Sequence, residues 1–517
     1  MNINIRKIAY SAIFCVPLLV YLGERSYISQ DEGYYALQAR WILDTGNWIA
    51  PMWWQEIVFD RTIGIQWLIA LSQKLLGKSI FAAHLPSLIS AIICLICTYY
   101  LSNEFVKKSY SWLSPLILLT TYLWINNAHL ATQEMPLLAF ETLGILSIVK
   151  AKNIEDSKYL FWSGISIGGA ILMKSFMVFI PIIAISPYII KNKRFIIFSK
   201  HFWIGLFIGL LPVLIWLTLI LKQYGLISIM SQISKLSYLS SSDAFRQPLY
   251  YYLWNIPINT FPWSITAFIG MIIILNSDRS EHKQILLYYP LIVIIILSLF
   301  NTKTPYYALQ VTPFISISTA LFFQYVFNDS NQYKKLYKLS IGSIGFSVLS
   351  LSLYMILNQE KYLHIYLNLN PNLYLITAFL FGIFWFAIIF VNNYKSAIIL
   401  FILGPYLSYL IIVQAGILCD RSPEIRKIFN EPELSSIIDK KTIDFVIYDE
   451  LDNDEYSKLI KLAIYSPSIG KRINDSKSSK RKNLLWTNDL EKIGEENSIK
   501  IIYSNKKLSP WILVKQN

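Results

Sequence analysis

The chain has 517 residues, 55% of them apolar and only 15% charged, with a mean hydropathy of +0.45 and a formal net charge of +14. An average soluble protein carries about 25% charged residues, so a chain of this length and makeup is excluded from the soluble class and faces lipid over most of its surface. The Lys and Arg residues fall in short clusters between apolar runs, which is the signature of membrane topology and not of a nucleic-acid footprint.

A spanning helix needs roughly 20 mostly apolar residues. Candidate spans lie at 8–22, 80–102, 112–129, 134–149, 159–173, 175–190, 202–221, 257–276, 284–300, 306–327, 339–357, 372–392 and 396–418. The fold class is therefore mainly α, a polytopic bundle of about thirteen transmembrane helices. The first span follows Arg6 and Lys7 and has no small-residue cleavage site after it, so it is expected to be retained. With the N-terminus inside, the inner loops hold Lys107/Lys108, Lys150/Lys152/Lys158, Lys191/Lys193/Arg194/Lys200, Arg279/Lys283, Lys334/Lys335/Lys338 and Lys395. The outer loops hold isolated cations, in line with the positive-inside rule. An odd number of spans then places the C-terminal segment outside the cytoplasmic membrane.

Residues 1–418 form the transmembrane domain, with a long outer loop at 23–79. Within that loop 33–43 mixes Tyr34, Tyr35, Leu37, Trp41 and Ile42 with polar residues, and Trp48, Trp53 and Trp54 follow. Such a pattern predicts one or two interfacial helices on the membrane surface. Residues 419–517 are polar, with strand-like runs at 443–448, 499–503 and 511–514, and predict a small extracytoplasmic α/β domain. No internal repeat is visible. The acidic run 449–455 sits among turn formers and reads as a solvated surface. Cys15, Cys94 and Cys97 lie in apolar runs as small hydrophobes, and Cys419 sits at the end of the last span.

The chain has no GxxxxGK[ST] phosphate loop, no HExxH and no GxGxxG after a strand, and its five histidines have no metal-ligand spacing. What stands out is a set of charged residues assigned to the outer face. Asp31 and Glu32 follow the first span, Asp60 and Arg61 lie later in the same loop, and Glu134 begins the fourth span. Lys174, Arg246 and Lys303 lie in or beside later outer loops. Each has a plain reading as a solvated helix end, a snorkelling cation or a loop charge. Ionisable groups at a membrane are costly and tend to mark function. Together they suit a reaction in which a base activates a hydroxyl while cations hold a phosphate.

The segment 31–46, DEGYYALQARWILDTG, resembles the first outer loop of the aminoarabinose transferase and protein mannosyltransferase family, membrane glycosyltransferases of the GT-C type. That loop reads D-E-x-x-Y-A-x-x-A-R-x-M-L-x-x-G-x-W. Asp31, Glu32, Tyr35, Ala36, Ala39, Arg40, Leu43, Gly46 and Trp48 match it. Phe59-Asp60-Arg61-Thr62-Ile63 is similar to the family's F-D-K-P-P, and Phe81-Ala82-Ala83-His84-Leu85-Pro86-Ser87 to its F-x-A-R-L-P-S. Further matches follow in order: Thr132–Leu137 as the second acidic motif, 169–174 as L-x-K-G, 248–252 and Pro262-Trp263 as P-F-x-Y-Y and P-W, and 303–313 as K-x-x-x-Y-x-L-P-x-x-P. The departures are Arg61 for Lys, Thr62-Ile63 for Pro-Pro, Glu134 for Asp, Ser175 for Gly and Gln310 for Pro. The resemblance covers about 6–330; beyond it, only the architecture matches.

The resemblance implies inverting transfer of one sugar from a polyprenyl-phosphate donor to a lipid, glycan or protein acceptor. A lipid-linked donor accounts for the bundle and for the lack of a nucleotide site. Asp31 would be the general base on the acceptor hydroxyl. Arg61, Lys174, Arg246 and Lys303 are candidates to stabilise the leaving phosphate. The resemblance adds the Tyr307 hydroxyl to that phosphate and lets Glu134 orient acceptor or sugar, with Glu32 and Asp60 as further substrate-binding carboxylates. Adjacent residues at a helix start point about 100° apart, so only one of Asp31 and Glu32 faces the cavity. No cofactor or metal is required, since four cations supply the electrostatics; a divalent ion near Asp60 or Glu134 stays open. The rival reading is a transporter or flippase of a lipid-linked saccharide, which the absence of repeats and the peripheral charges disfavour. Nucleic acid is not a partner.

Overall fold

The computed structural model describes residues 15–59, 61–226, 228–231, 233–234, 246–327, 334–358, 371–448, 450–474, 483–492 and 499–516. Residues 8–14 of the first predicted span, and Asp60, lie outside them. Eight described helices are long and apolar enough to cross a membrane: Ile80–Phe105, Ser157–Asn192, Lys200–Tyr224, Ser280–Leu299, Pro305–Val326, Lys334–Leu357, Leu373–Phe390 and Lys395–Gln414. Tyr251–Asn259 and Trp263–Leu275 form a further apolar pair bent by 113°. Other apolar stretches form shorter helices. The stretch 112–129 is broken at Thr120-Thr121 into Leu113–Leu119 and Tyr122–Ala128. Two predicted segments run together in Ser157–Asn192, through a tight turn at Ser175–Val178. Helix Lys200–Tyr224 leaves Ile204, Phe207, Leu214 and Ile215 largely exposed, an outer face that only lipid tolerates. The chain is a multi-pass membrane protein.

The chain divides into two compact units. One holds 1–22, 87–129 and 133–418 and is the membrane bundle. One tightly packed helix pair in it is built on glycine. Gly164 and Gly168 of Ser157–Lys174 face Gly205 and Gly209 of Lys200–Tyr224, and a Cβ on Gly168 would fall 2.1 Å from the Gly209 carbonyl carbon, one on Gly205 2.1 Å from Phe161 O. Both helices carry G-x-x-x-G. With no hydrophobic force between helices in lipid, such small residues let two backbones meet. This contact fixes the helix that ends at Lys174.

The second unit holds 23–86, 130–132 and 419–517. It contains helix α1 (Glu32–Thr45), the short hairpin β1 (Met52–Trp53) and β2 (Glu56–Ile57), helix α2 (Gly64–Leu76), strand β3 (Thr442–Val446), helix α3 (Asn453–Tyr465), and strands β4 (Ser468–Ile473), β5 (Leu484–Thr487), β6 (Ile499–Ser504) and β7 (Ile512–Gln516). The sheet order is β4-β3-β5-β7-β6, with β3 parallel to β4 and β5, and β7 antiparallel to β5 and β6. The runs at 443–448, 499–503 and 511–514 become β3, β6 and β7; β4 and β5 come from segments with no strand expectation. Within 449–455, Asp452 accepts from Glu455 N at 2.8 Å as the N-cap of α3, with Glu455 returning the contact as a capping box. Helix α1, expected on the membrane surface, instead buries Leu37 and Trp41 in one core with Trp54, Phe445, Leu459, Trp486 and Trp511. Its aromatic stripe finds a protein partner: Trp41 lies 5.3 Å from Trp54, which meets Phe445 edge-on at 5.8 Å.

Candidate active site

The adjacent acids Asp31 and Glu32 part company at the start of α1. Glu32 is 1% exposed. Its Oε2 accepts from Ile28 N at 2.8 Å, and its Oε1 accepts from Ala131 N at 2.7 Å and lies 2.9 Å from His84 Nε2. His84 Nδ1 lies 2.8 Å from Ile80 O. A carbonyl only accepts, so Nδ1 is the donor there and Nε2 faces the Glu32 carboxyl group. Tyr27 stacks on the imidazole at 5.3 Å. Close by, burial lowers the Arg25 guanidinium to about 10, with Cys419 and Glu32 opposing the shift. Glu32 thus ties together the loop before α1, the segment 130–132 and the Ile80 turn.

Asp31 faces the other way. It sits at φ 54°, ψ −75° as the N-cap of α1, a region that is rare and strained for a residue with a side chain. The conformation turns its carboxylate outward, 47% exposed, with Oδ1 3.3 Å from Arg61 Nη1. The Arg61 guanidinium lies over the Tyr35 ring at 5.1 Å and the Tyr34 ring at 5.7 Å, so two aromatic faces fix the cation that meets the acid.

In the membrane unit, Glu134 opens the helix Glu134–Lys150, and its Oε1 accepts from Lys174 Nζ at 2.6 Å. The ammonium also lies 5.0 Å from the ring centres of both Tyr306 and Tyr307. Lys174 reaches this position because the chain turns at Ser175, with φ 41° and ψ −117°, a conformation suited to glycine. A cavity of about 10 Å³ adjoins this cluster, lined by Glu134, Glu141, Lys174, Tyr306, Tyr307 and Gln310, room for about one water. Sequence reading missed Glu141. It lies two turns beyond Glu134, 7% exposed, and neither carboxyl oxygen has a hydrogen-bond partner. An acid inside an apolar helix was the available signal.

Lys303 is buried, and its Nζ donates to Gln247 O at 2.9 Å and to Phe300 O. Burial lowers its pKa, and the like charge of Arg246 adds to the effect. Arg246 pairs with Thr302 as an isolated antiparallel bridge and has an exposed side chain. Tyr252 OH donates to Thr304 O at 3.1 Å. The structure therefore gathers Lys174, Glu134 and Tyr307 in one cluster, Lys303 and Arg246 on adjoining backbone, and Asp31 with Arg61 in the second unit. Among the described residues, no group of three or more His, Cys, Asp or Glu side chains has the arrangement of a metal centre.

Residues 60–217 match the family model described as dolichyl-phosphate-mannose-protein mannosyltransferase. An undecaprenyl phosphate-alpha-4-amino-4-deoxy-L-arabinose arabinosyl transferase of Shewanella sediminis is 24% identical over 261 residues, 49% of this chain and 48% of that protein. The Yersinia pestis protein of the same description is 26% identical over 271 residues, with 49% and 48% covered. The chain thus spans about half the length of these curated relatives. The crystal structure of ArnT from Cupriavidus metallidurans bound to undecaprenyl phosphate superposes with a TM-score of 0.78 at 14% identity, covering 98% of this chain and 97% of that one. Its apo structure gives 0.71 at 13% identity. These likenesses show that the chain shares the fold of the ArnT structures and that part of it is similar in sequence to the protein mannosyltransferase family model.

Proposed function

We propose that the chain is an inverting glycosyltransferase that moves one sugar, a hexose or a pentose, from a polyprenyl phosphate to a lipid acceptor on the outer face of the cytoplasmic membrane. The observation that carries this reading is Asp31. It is a half-exposed carboxylate, set in a strained N-cap and faced by one cation, beside a glutamate wholly occupied by the protein. Asp31 takes the proton of the acceptor hydroxyl as the oxygen attacks the anomeric carbon. The bond from that carbon to the phosphate oxygen breaks, the configuration inverts, and polyprenyl phosphate leaves with the electron pair. Arg61 is proposed to stabilise charge developing on the reacting groups, and Lys174, Arg246 and Lys303 with the Tyr307 hydroxyl to receive the lipid phosphate. Glu134 is proposed to hold Lys174 at its working geometry. No metal ion takes part in this scheme, so turnover should survive a chelator. The C-terminal segment is proposed to lie outside the cytoplasm, where an alkaline phosphatase fused to it would be active.

The test is transfer by the purified full chain in liposomes, with radiolabelled sugar on undecaprenyl phosphate and a lipid acceptor extracted from an envelope. Labelled acceptor and released undecaprenyl phosphate should form together. Movement of intact labelled donor across the bilayer, with no label transferred, would establish the transporter reading instead.

A further inference from the structure

Helix α3 of the C-terminal segment packs on α1, the helix that Asp31 caps, and one face of it makes the contact. The hydroxyls of Tyr456 and Tyr34 share a hydrogen bond at 2.9 Å, and those of Ser457 and Ser29 share another at 2.8 Å. One turn on, a Cβ on Gly33 would fall 2.7 Å from Ile460 Cγ2 and 3.0 Å from Ile28 O, which leaves little room for a larger residue. A further turn on, Arg40 Nη1 donates to Ile464 O at 3.0 Å. Residues 456, 457, 460 and 464 have the spacing of a single helix face. The capping box of Asp452 and Glu455 fixes where α3 begins. Trp511 Nε1 donates to Glu455 O at 3.2 Å, which ties the first turn of α3 to the chain entering β7.

Of these contacts, the one between Tyr34 and Tyr456 leads to the reacting groups. Tyr34 follows Asp31 by three residues and so shares its face at the start of α1. Its ring packs on Trp53 at 4.3 Å and lies 5.7 Å from the Arg61 guanidinium, whose Nη1 is 3.3 Å from Asp31 Oδ1. An arginine side chain has many rotamers to lose, so the direction of this one depends on the surfaces it lies against. We propose that Tyr456 is a positioning residue for the transfer. Its hydroxyl holds the Tyr34 ring by the tip, and that ring holds Arg61 against Asp31. The inference rests on the glycosyl-transfer reading, in which Asp31 is the base and Arg61 stabilises charge on the reacting groups. Such a charge works by being in place before the reaction, and a small displacement is enough to slow it. A residue 422 positions away from Tyr34 thereby sets the cation beside the base.

Transfer by the full chain in liposomes tests this with Tyr456→Phe, which keeps the ring and removes only the hydroxyl. In a variant shown by circular dichroism to be folded at the assay temperature, kcat should fall about two- to tenfold, the range that one intramolecular hydrogen bond spans, while KM for the labelled donor is unchanged. Tyr34→Phe should lose as much, and the double variant no more than either alone, since each removes the same bond. In an Arg61→Gln background Tyr456→Phe should have no further effect, because the ring then has no cation to hold. Tyr503→Phe removes a hydroxyl bond to Glu431 in the same unit and should leave kcat unchanged. Wild-type kcat in Tyr456→Phe overturns the inference. So does an undiminished fall in the Arg61→Gln background, or a fall in Tyr503→Phe as large as in Tyr456→Phe. Wild-type turnover in Asp31→Asn would sink the reaction on which the inference rests. Loss of transfer in Asp31→Asn with wild-type kcat in Tyr456→Phe would sink the inference alone.

Discussion

In the unit built from 23–86 and 419–517, Asp31 stands 47% exposed with a single cation at 3.3 Å. In the membrane unit, the Glu134 and Lys174 side chains are only 10% and 13% exposed and meet at 2.6 Å, and Lys303 donates to two backbone carbonyls. The two regions treat charge differently because their surroundings do. In a bundle facing lipid, an ionised group without a partner is too costly to keep, so Lys174 is held by a carboxylate and two rings and Lys303 by carbonyls. In the polar unit a carboxylate can stay half in water, provided the backbone turns it outward. Basicity is available at Asp31, and fixed positive charge in the bundle.

The comparison breaks most visibly at Asp31. Asp31→Asn keeps the shape and tolerates positive φ but removes the base, so transfer should fall by about 10²–10⁴-fold with little change in thermal stability. Wild-type turnover in this variant would end the assignment and leave Glu134 as the next carboxylate to test. In the bundle the expected effect is on stability. Lys174→Met strands the Glu134 carboxylate and should cost about 3–5 kcal/mol, read from thermal unfolding in detergent, while Lys174→Met with Glu134→Gln should recover most of it. A single variant as stable as the wild type would mean that the pair is not the buried device described here.

Glu32→Gln sharpens the contrast between neighbours. An amide cannot accept from Ile28 N and Ala131 N while also meeting His84, so one buried group is left unpaired, at about 1–3 kcal/mol. Stability should drop, and transfer at a temperature where the variant is folded should fall far less than in Asp31→Asn. Equal losses of transfer in the two would reverse the division of labour. The smallest effect expected is at Ser175. Ser175→Gly removes a side chain from a backbone position at φ 41° and should stabilise the protein by about 1 kcal/mol. A lower melting temperature would show that Ser175 makes a contact worth more than the strain.

Much of this was legible in the sequence. Apolar runs of about the length that crosses a bilayer, cationic inner loops and the paired acids of 31–32 are local features, and local features survive without tertiary knowledge. The broken stretches were less legible. A break such as Thr120-Thr121 does not lower mean hydropathy, so two short helices read as one span. The strands β4 and β5 were missed because segments such as Ser468–Ile473 carry as much charge as a loop and become strands only beside β3.

By itself the sequence determined the class: a lipid-facing bundle, a polar C-terminal segment, and acids and cations clustered near helix ends. Only the tertiary structure decided how each charge is used. Asp31 and Glu32 are adjacent and chemically alike, yet one is turned outward by a positive φ and the other is closed in by donors from Ile28, Ala131 and His84. Lys174 finds its carboxylate 40 residues away, Lys303 meets a carbonyl 56 residues away, and α1 packs its Trp41 against residues more than 380 positions later. The reason is physical. Composition and periodicity record what one segment prefers, whereas the direction of a side chain and the identity of its partner are set by whichever distant segment packing brings alongside.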